Sequence, residues 1–267
     1  MIKETCKVLS QKKVAPGHFV LTLESQKISK SAQPGQFVQI LCADSMDPLL
    51  PRPFSFLDTD SKKFSVLYHV VGKGTQTLSK LKKGETLSVL GPCGNGFSYD
   101  PFSPRKQVSL IGGGVGIPPL YHFAKQLLRQ KVRAKNIHIF QGARDKSLLL
   151  YEKEFKRLGV WVSVATDNGS RGDKGFVTDL FHEDLQHGGA DKVQIFTCGP
   201  TAMMKAVLTL AQGYGIPCQV SVEVPMACGF GACLGCAVKV REEGCEPRFA
   251  IACTEGPVFL ASELVWD

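Results

Sequence analysis

Cys228, Cys233 and Cys236 stand in C-x4-C-x2-C spacing, and Cys253 follows after sixteen intervening residues. A [2Fe–2S] cluster needs four thiolates converging on two irons, three of them from one tight loop folded around the inorganic sulfides. Such a loop requires small residues, and Gly229, Gly231, Ala232 and Gly235 supply them. They leave room for the cluster and let backbone N–H groups point at sulfur. Four thiolates also suit zinc, but structural zinc sites usually pair one C-x2-C with another rather than with a lone fourth cysteine. Cys245 is the rival for the fourth ligand position. Cys6, Cys42, Cys93, Cys198 and Cys218 are scattered.

The chain of 267 residues exceeds the usual one-domain length of roughly 100–200, so two or three compact units are expected. Apolar segments at 8–14, 18–23, 36–42, 64–71 and 86–90 are separated by Pro16-Gly17, Pro34-Gly35, Gly72 to Gly74 and Gly91-Pro92. That rhythm predicts a small antiparallel β-barrel. From Gln107 it changes: strands at 108–111, 137–140, 160–165 and 193–197 alternate with helices at 118–130, 150–158, 178–185 and 201–211. Alternation of this kind predicts a parallel sheet with crossover helices. Residues 213–217 read as a linker, and the remainder is short and rich in Gly and Cys. The predicted architecture is multi-domain, β plus α/β: an N-terminal antiparallel β-barrel over 1–100, a parallel-sheet α/β domain over 101–212 and a small [2Fe–2S] domain over 213–267.

The formal net charge is +8, but from Tyr214 onward three basic residues face seven acidic ones. The C-terminal segment is therefore acidic and the rest basic, with no run of five or six Lys/Arg and no aromatic-interleaved basic stripe. Anionic small ligands or an acidic partner fit this distribution better than nucleic acid. No apolar run approaches the ~18–20 residues that cross a bilayer, and residues 1–5 lack a signal-peptide stretch, so a cytoplasmic protein with no membrane span is expected.

Two further motifs carry chemistry. Arg52-Pro53-Phe54-Ser55 starts a strand after a Pro-rich turn. A flavin diphosphate takes a guanidinium fork, and an isoalloxazine takes an apolar wall with a hydroxyl near its N5. An Arg on a barrel rim is also commonly just solvated. The reading gains weight from Leu67-Tyr68-His69 on the next strand, with a further stacking ring, and from Gly72-x-Gly74-Thr75, a phosphate nest of backbone N–H groups and a hydroxyl. Ile111 to Pro119 reads I-G-G-G-V-G-I-P-P, with Gly112, Gly113, Gly114 and Gly116 between a strand and a helix. Glycines admit a pyrophosphate to the backbone and proline suits a first helical turn, so a dinucleotide site is expected. The spacing is G-x-G-x-x-P, not that of the dehydrogenase fingerprint. Cys198-Gly199-Pro200 ends the last strand of that region at a carboxyl edge, where parallel sheets bind ligands. Cys198 is equally read as a small buried residue.

R-P-F-S at 52–55, G-G-G-V-G-I-P-P-L at 112–120, T-D-N-G-S-x-G-x-K-G-x-V-T-D at 166–179, C-G-P at 198–200 and M-A-C-G-x-G-x-C-x-x-C at 226–236 together resemble the electron-transfer subunit of class B dihydroorotate dehydrogenase, within the ferredoxin–NADP reductase superfamily. The resemblance spans nearly the whole chain. It implies FAD, NAD and a [2Fe–2S] cluster, with Arg52, Pro53, Phe54, Ser55, Leu67, Tyr68, His69, Gly74 and Thr75 at the flavin, and Cys228, Cys233, Cys236 and Cys253 at the cluster. Ser55 is then expected near flavin N5 and Cys198 near the nicotinamide. It also implies an FMN-containing dihydroorotate dehydrogenase catalytic subunit as partner, in a two-plus-two heterotetramer of pyrimidine biosynthesis. Three departures stand out: His69 where family members often carry Arg, Cys93 in place of the Leu of a G-P-L-G-x-G-F turn, and Val224-Pro225 ahead of Met226. A small subunit of an NAD(P)H–ferredoxin oxidoreductase or sulfide dehydrogenase shares the architecture, and a zinc-stapled binding module is a third reading. Arg144 follows the strand ending at Phe140 and could meet the 2′-phosphate of NADP, but it reads more readily as a solvated arginine; NAD is expected from the resemblance.

Overall fold

The computed structural model describes residues 1–103, 105–188, 190–241 and 244–266. Six strands, β1 (Ile2–Ala15), β2 (His18–Glu24), β3 (Phe37–Ile40), β4 (Arg52–Thr59), β5 (Lys63–His69) and β6 (Thr86–Cys93), close a barrel in the order β1-β2-β5-β4-β3-β6. Every neighbouring pair is antiparallel. Alternation sends Val8, Leu21, Val38, Phe56, Val66 and Val89 into its core, while the intervening residues face out. β1 begins six residues before the apolar segment expected at 8–14. Lys3, Thr5 and Lys7 are its outward residues, and their polarity hid a strand that pairs with β6 from Ile2 to Lys7. Two short helices, α1 (Gln26–Ser31) and α2 (Lys73–Leu78), flank the barrel. Ser25 caps α1 by accepting the N–H of Ile28 at 3.0 Å.

The second unit alternates β7 (Gln107–Gly113), α3 (Ile117–Arg129), β8 (Ile137–Ala143), α4 (Glu152–Arg157), β9 (Trp161–Thr166), β10 (Asp173–Lys174), α5 (Val177–Gly188), β11 (Val193–Cys198) and α6 (Thr201–Gly213). Its sheet extends past residue 213. Residues 213–217, expected as a linker, lead straight into β12 (Cys218–Ser221), which pairs in parallel with β11. After β13 (Ala237–Val240) and β14 (Arg248–Ile251), a separate hairpin, β15 (Val258–Leu260) adds to the sheet antiparallel to β12. The order is β10-β9-β8-β7-β11-β12-β15. Val220, Val222 and Phe259 join the cluster built by α5, α6 and β11, so burial of these side chains ties the C-terminal segment to the nucleotide sheet.

The barrel and the α/β unit meet along β4 and α3. Lys125 Nζ donates to Asp58 at 2.5 Å, and His122 Nε2 lies 3.1 Å from Thr59 Oγ1. Burial pulls the His122 pKa down from 6.5 to about 4, against the attraction of Asp58. Its folded pKa lies below its unfolded one, so the neutral ring's contribution is present above about pH 6.5 and lost as pH falls towards 4, a difference of about 3 kcal/mol. Urea unfolding of His122→Gln against wild type between pH 7 and pH 4 is expected to show a shallower loss for the variant. Parallel pH slopes would remove His122 from the acid sensitivity.

Candidate functional site

Alternation along β4 and β5 builds the first cleft, about 360 Å³, walled on one side by Pro53, Ser55, Leu67 and His69 and on the other by residues 221–226. Ser55 pairs with Phe37 on β3, beside the cleft. Phe54 and Tyr68 line the cleft too; the Tyr68 ring is largely buried between Phe19 and Phe54, its hydroxyl donates to Gln11 Oε1 at 3.0 Å, and burial raises its pKa. Arg52, the first residue of β4, donates through Nη1 to the carbonyls of Leu50 at 2.7 Å and Pro51 at 3.2 Å. Gly74 lies against it, since a Cβ there would sit 3.4 Å from Arg52 Cγ and 3.2 Å from Cys42 Sγ. The Thr75 hydroxyl is engaged by its own turn, accepting the N–H groups of Val71 and Gly72 and donating to the Gly72 carbonyl. Arg52, Gly74 and Thr75 line neither cleft; Arg52 directly precedes Pro53 in the wall of the first, so a guanidinium beside an apolar cleft is what the chain offers a flavin dinucleotide.

A second cleft, about 640 Å³, opens at the carboxyl ends of β7, β8 and β11, where the strand order reverses about β7. Gly113, Gly114, Arg144, Gly199 and Pro200 line it. The glycines divide their work. Gly114, with φ +56°, faces open space, whereas a Cβ on Gly116 would lie 2.2 Å from the Cys198 carbonyl oxygen, so Gly116 serves close packing of the turn on β11. A Cβ on Gly112 would meet Leu120 at 2.6 Å. Cys198, expected beside the nicotinamide, lines neither cleft and is 2% exposed. Burial raises its pKa well above the thiol range, helped by Glu223. The close turn at Gly116 and the strand β12 on its other side cover it.

The two clefts share His69, Val115 and Glu223. His69 stacks on His18, with ring centroids 4.3 Å apart and planes 4° from parallel, and His18 Nδ1 lies 2.7 Å from the Pro16 carbonyl. Glu223 belongs to none of the sequence motifs. Its side chain projects into the cleft space, so it keeps accessible surface, yet protein surrounds it closely enough for burial to raise its carboxyl pKa above the ordinary range. Its position five residues ahead of Cys228 is the one clue the sequence offers.

Residues 228–236 and Cys253 come together at the β13–β14 hairpin. Among the described residues no three His, Cys, Asp or Glu side chains converge as a single metal ion requires. The four cysteines fall into two touching pairs, Cys228 with Cys233 and Cys236 with Cys253. Burial pushes the Cys228 thiol up, but the backbone N–H groups of Phe230 and Cys233, the Cys233 thiol and the Ala232 N–H together outweigh it and bring its pKa to about 6. The Gly231 N–H donates to Cys253 Sγ at 3.1 Å. Two thiol pairs with amide donors suit two irons bridged by sulfide better than one tetrahedral zinc. Cys245 is exposed.

Residues 110–209 match the family model of the oxidoreductase NAD-binding domain, and residues 223–265 that of the iron–sulfur cluster binding domain of dihydroorotate dehydrogenase B. Proteins of Bacillus cereus (strain AH187) and Bacillus anthracis (strain A0248), both named dihydroorotate dehydrogenase B (NAD(+)), electron transfer subunit, are 38% identical to this chain, with 99% of each chain covered. A solved NADH-dependent reduced ferredoxin–NADP oxidoreductase, described for flavin-based electron bifurcation, superposes with a TM-score of 0.84 at 34% identity, covering 98% of this chain and 90% of that one. A ferredoxin NADP+ reductase from Neisseria gonorrhoeae with bound FAD and NADP shares the fold at 14% identity, TM-score 0.67, over 80% of this chain and 92% of that one. Identity of this level over the full length, two motif-bearing domains in the expected order and a reductase-type barrel lead to one conclusion: the chain belongs to the family of electron transfer subunits of dihydroorotate dehydrogenase B.

Proposed function

We propose that the chain carries electrons from an FMN-containing, dihydroorotate-oxidising subunit to NAD+ in pyrimidine biosynthesis, as half of a two-plus-two heterotetramer in the cytoplasm. The observation that supports this most directly is the continuity of the site. The wall of the first cleft, residues 221–226, runs into the cluster loop at Cys228, and the two clefts share His69, Val115 and Glu223. FAD supplies the conversion between hydride and single electrons, because nicotinamide exchanges only the former and an iron–sulfur centre only the latter.

The chain's own residues bind and orient. Arg52 and Gly74 receive the flavin diphosphate, while Pro53, Phe54, Ser55 and Leu67 seat the ring system. Gly113, Gly114, Gly199 and Pro200 would admit the NAD pyrophosphate, with Val115 in the wall that the second cleft shares with the first. Glu223 places a carboxyl in the wall that the two clefts share. Cys198 backs this floor through packing and has no direct contact with the clefts. Cys228, Cys233, Cys236 and Cys253 hold the cluster.

Arg52→Ala is expected to purify with depleted flavin, since each bond from a guanidinium to a charged group contributes roughly 1.5–3 kcal/mol. Unchanged FAD content on dilution would exclude Arg52. The function itself is tested with the cofactor-replete chain, dihydroorotate and NAD+. Alone it is expected to form no orotate while still passing electrons from NADH to an artificial acceptor, because the two adjoining clefts serve a nucleotide and a flavin and hydride transfer between these needs nothing from the partner. Orotate formation is expected on adding the FMN subunit; turnover by the chain alone would refute the division of labour. The likeness to the ferredoxin–NADP oxidoreductase carries the second reading, a ferredoxin-linked partner, for which the FMN subunit would give no orotate.

A further inference from the structure

Gln39 lines neither cleft, and its surroundings are unusual. It lies on β3, 1% exposed, and neither its Nε2 nor its Oε1 has a hydrogen-bond partner among the described residues. A buried carboxamide left unpaired is strongly disfavoured in folded proteins, so one in a well-packed location points to a group that completes it. Its neighbours indicate which. β3 sends Val38 and Ile40 into the barrel core, so Phe37 and Gln39 face the C-terminal segment instead. There the Gln39 side chain lies against Gly229, the residue after Cys228: a Cβ on Gly229 would stand 2.4 Å from Gln39 Cγ and 2.9 Å from Nε2. The glycine is what lets the amide reach the loop. Gln39 also pairs with Pro53 on β4, which lines the first cleft. The orphaned amide therefore sits on the strand next to the flavin wall and under the first turn of the cysteine loop.

We propose that the Gln39 side-chain N–H groups donate to a sulfur of the [2Fe–2S] centre at the Cys228 end of the loop, making Gln39 a positioning residue that sets the cluster's reduction potential from the flavin-bearing barrel. The inference rests on the cluster reading above. Hydrogen bonds to cluster sulfurs are among the factors that set its potential. A donor draws electron density from sulfur and favours the reduced state, so loss of the donor lowers the potential. Because the donor belongs to the barrel and the ligands to the C-terminal segment, the potential also depends on how these two units are packed.

The test uses the full chain purified with its cofactors. Iron, sulfide and FAD are assayed first: a wild-type chain without a [2Fe–2S] spectrum would defeat the cluster reading itself, independently of Gln39. Gln39→Leu keeps the volume and removes the donor, and Gln39→Glu keeps the shape while replacing the donor nitrogen by an acceptor. With cluster and flavin retained, EPR-monitored redox titration is expected to show Gln39→Leu favouring the oxidised cluster about tenfold more than wild type, about 59 mV for one electron, with Gln39→Glu displaced the same way. An unchanged potential in a cluster-replete variant overturns the proposal. If neither variant holds its cluster, the wild-type chain labelled with 15N in its glutamine side chains decides: pulsed EPR of the reduced cluster is expected to show coupling to a side-chain nitrogen, and its absence overturns the proposal equally.

Discussion

Cys253→Ser is expected to lose the visible [2Fe–2S] absorption and most of its iron and acid-labile sulfide, whereas Cys245→Ser is expected to retain both. The difference lies in position. Cys253 is 1% exposed, touches Cys236, and accepts the N–H of Gly231 from within the cysteine loop. Cys245 is exposed on the connection between β13 and β14. Cluster assembly needs all four thiolates, and a serine hydroxyl is a far poorer ligand than a thiolate for iron in such a centre. The measurement is iron and sulfide per chain alongside the absorption spectrum. A full cluster in Cys253→Ser together with loss in Cys245→Ser would reverse the ligand assignment.

The next largest effect is expected at Gly116. An alanine methyl there would lie 2.2 Å from the Cys198 carbonyl oxygen and 2.4 Å from its carbon, both backbone atoms of a central strand. Neither can yield as a flexible side chain can, so the turn Gly114–Gly116 must lift from the sheet. Overpacking of this kind costs roughly 1–3 kcal/mol, and the displaced turn carries Gly114 and Val115 into the second cleft. Gly116→Ala is expected to bind NADH at least tenfold more weakly, with a lower unfolding midpoint, while FAD content falls less, because Val115 is the one residue of the turn in the first cleft and most of the rest of that wall lies on β4, β5 and residues 221–226. Stopped-flow flavin reduction at varied NADH reads the affinity. Wild-type affinity and midpoint would mean that the close approach at Gly116 has no consequence for the site.

Motifs whose chemistry is local are legible in the amino-acid sequence. The C-x4-C-x2-C spacing requires a tight loop with small residues, the glycine run at 112–116 requires a turn between strand and helix, and the change of rhythm at Gln107 separates barrel from α/β unit. Each depends on backbone reach, conformational freedom or side-chain period, which neighbouring residues determine between themselves. Features that depend on packing between distant segments are not legible in this way. The polar alternation of residues 2–7 becomes a strand only because β6 is available to pair with it. Tyr68 is buried between Phe19 and Phe54, Cys198 lies beneath the turn at Gly116, and the segment after 213 joins the nucleotide sheet because each finds apolar neighbours remote in sequence. Glu223 and Gln39 stand in no motif that marks them for the site. They enter it because folding places one in the shared wall of two clefts and leaves the other's amide unpaired against Gly229, and a side chain's environment in three dimensions is set by long-range contacts that no local pattern encodes.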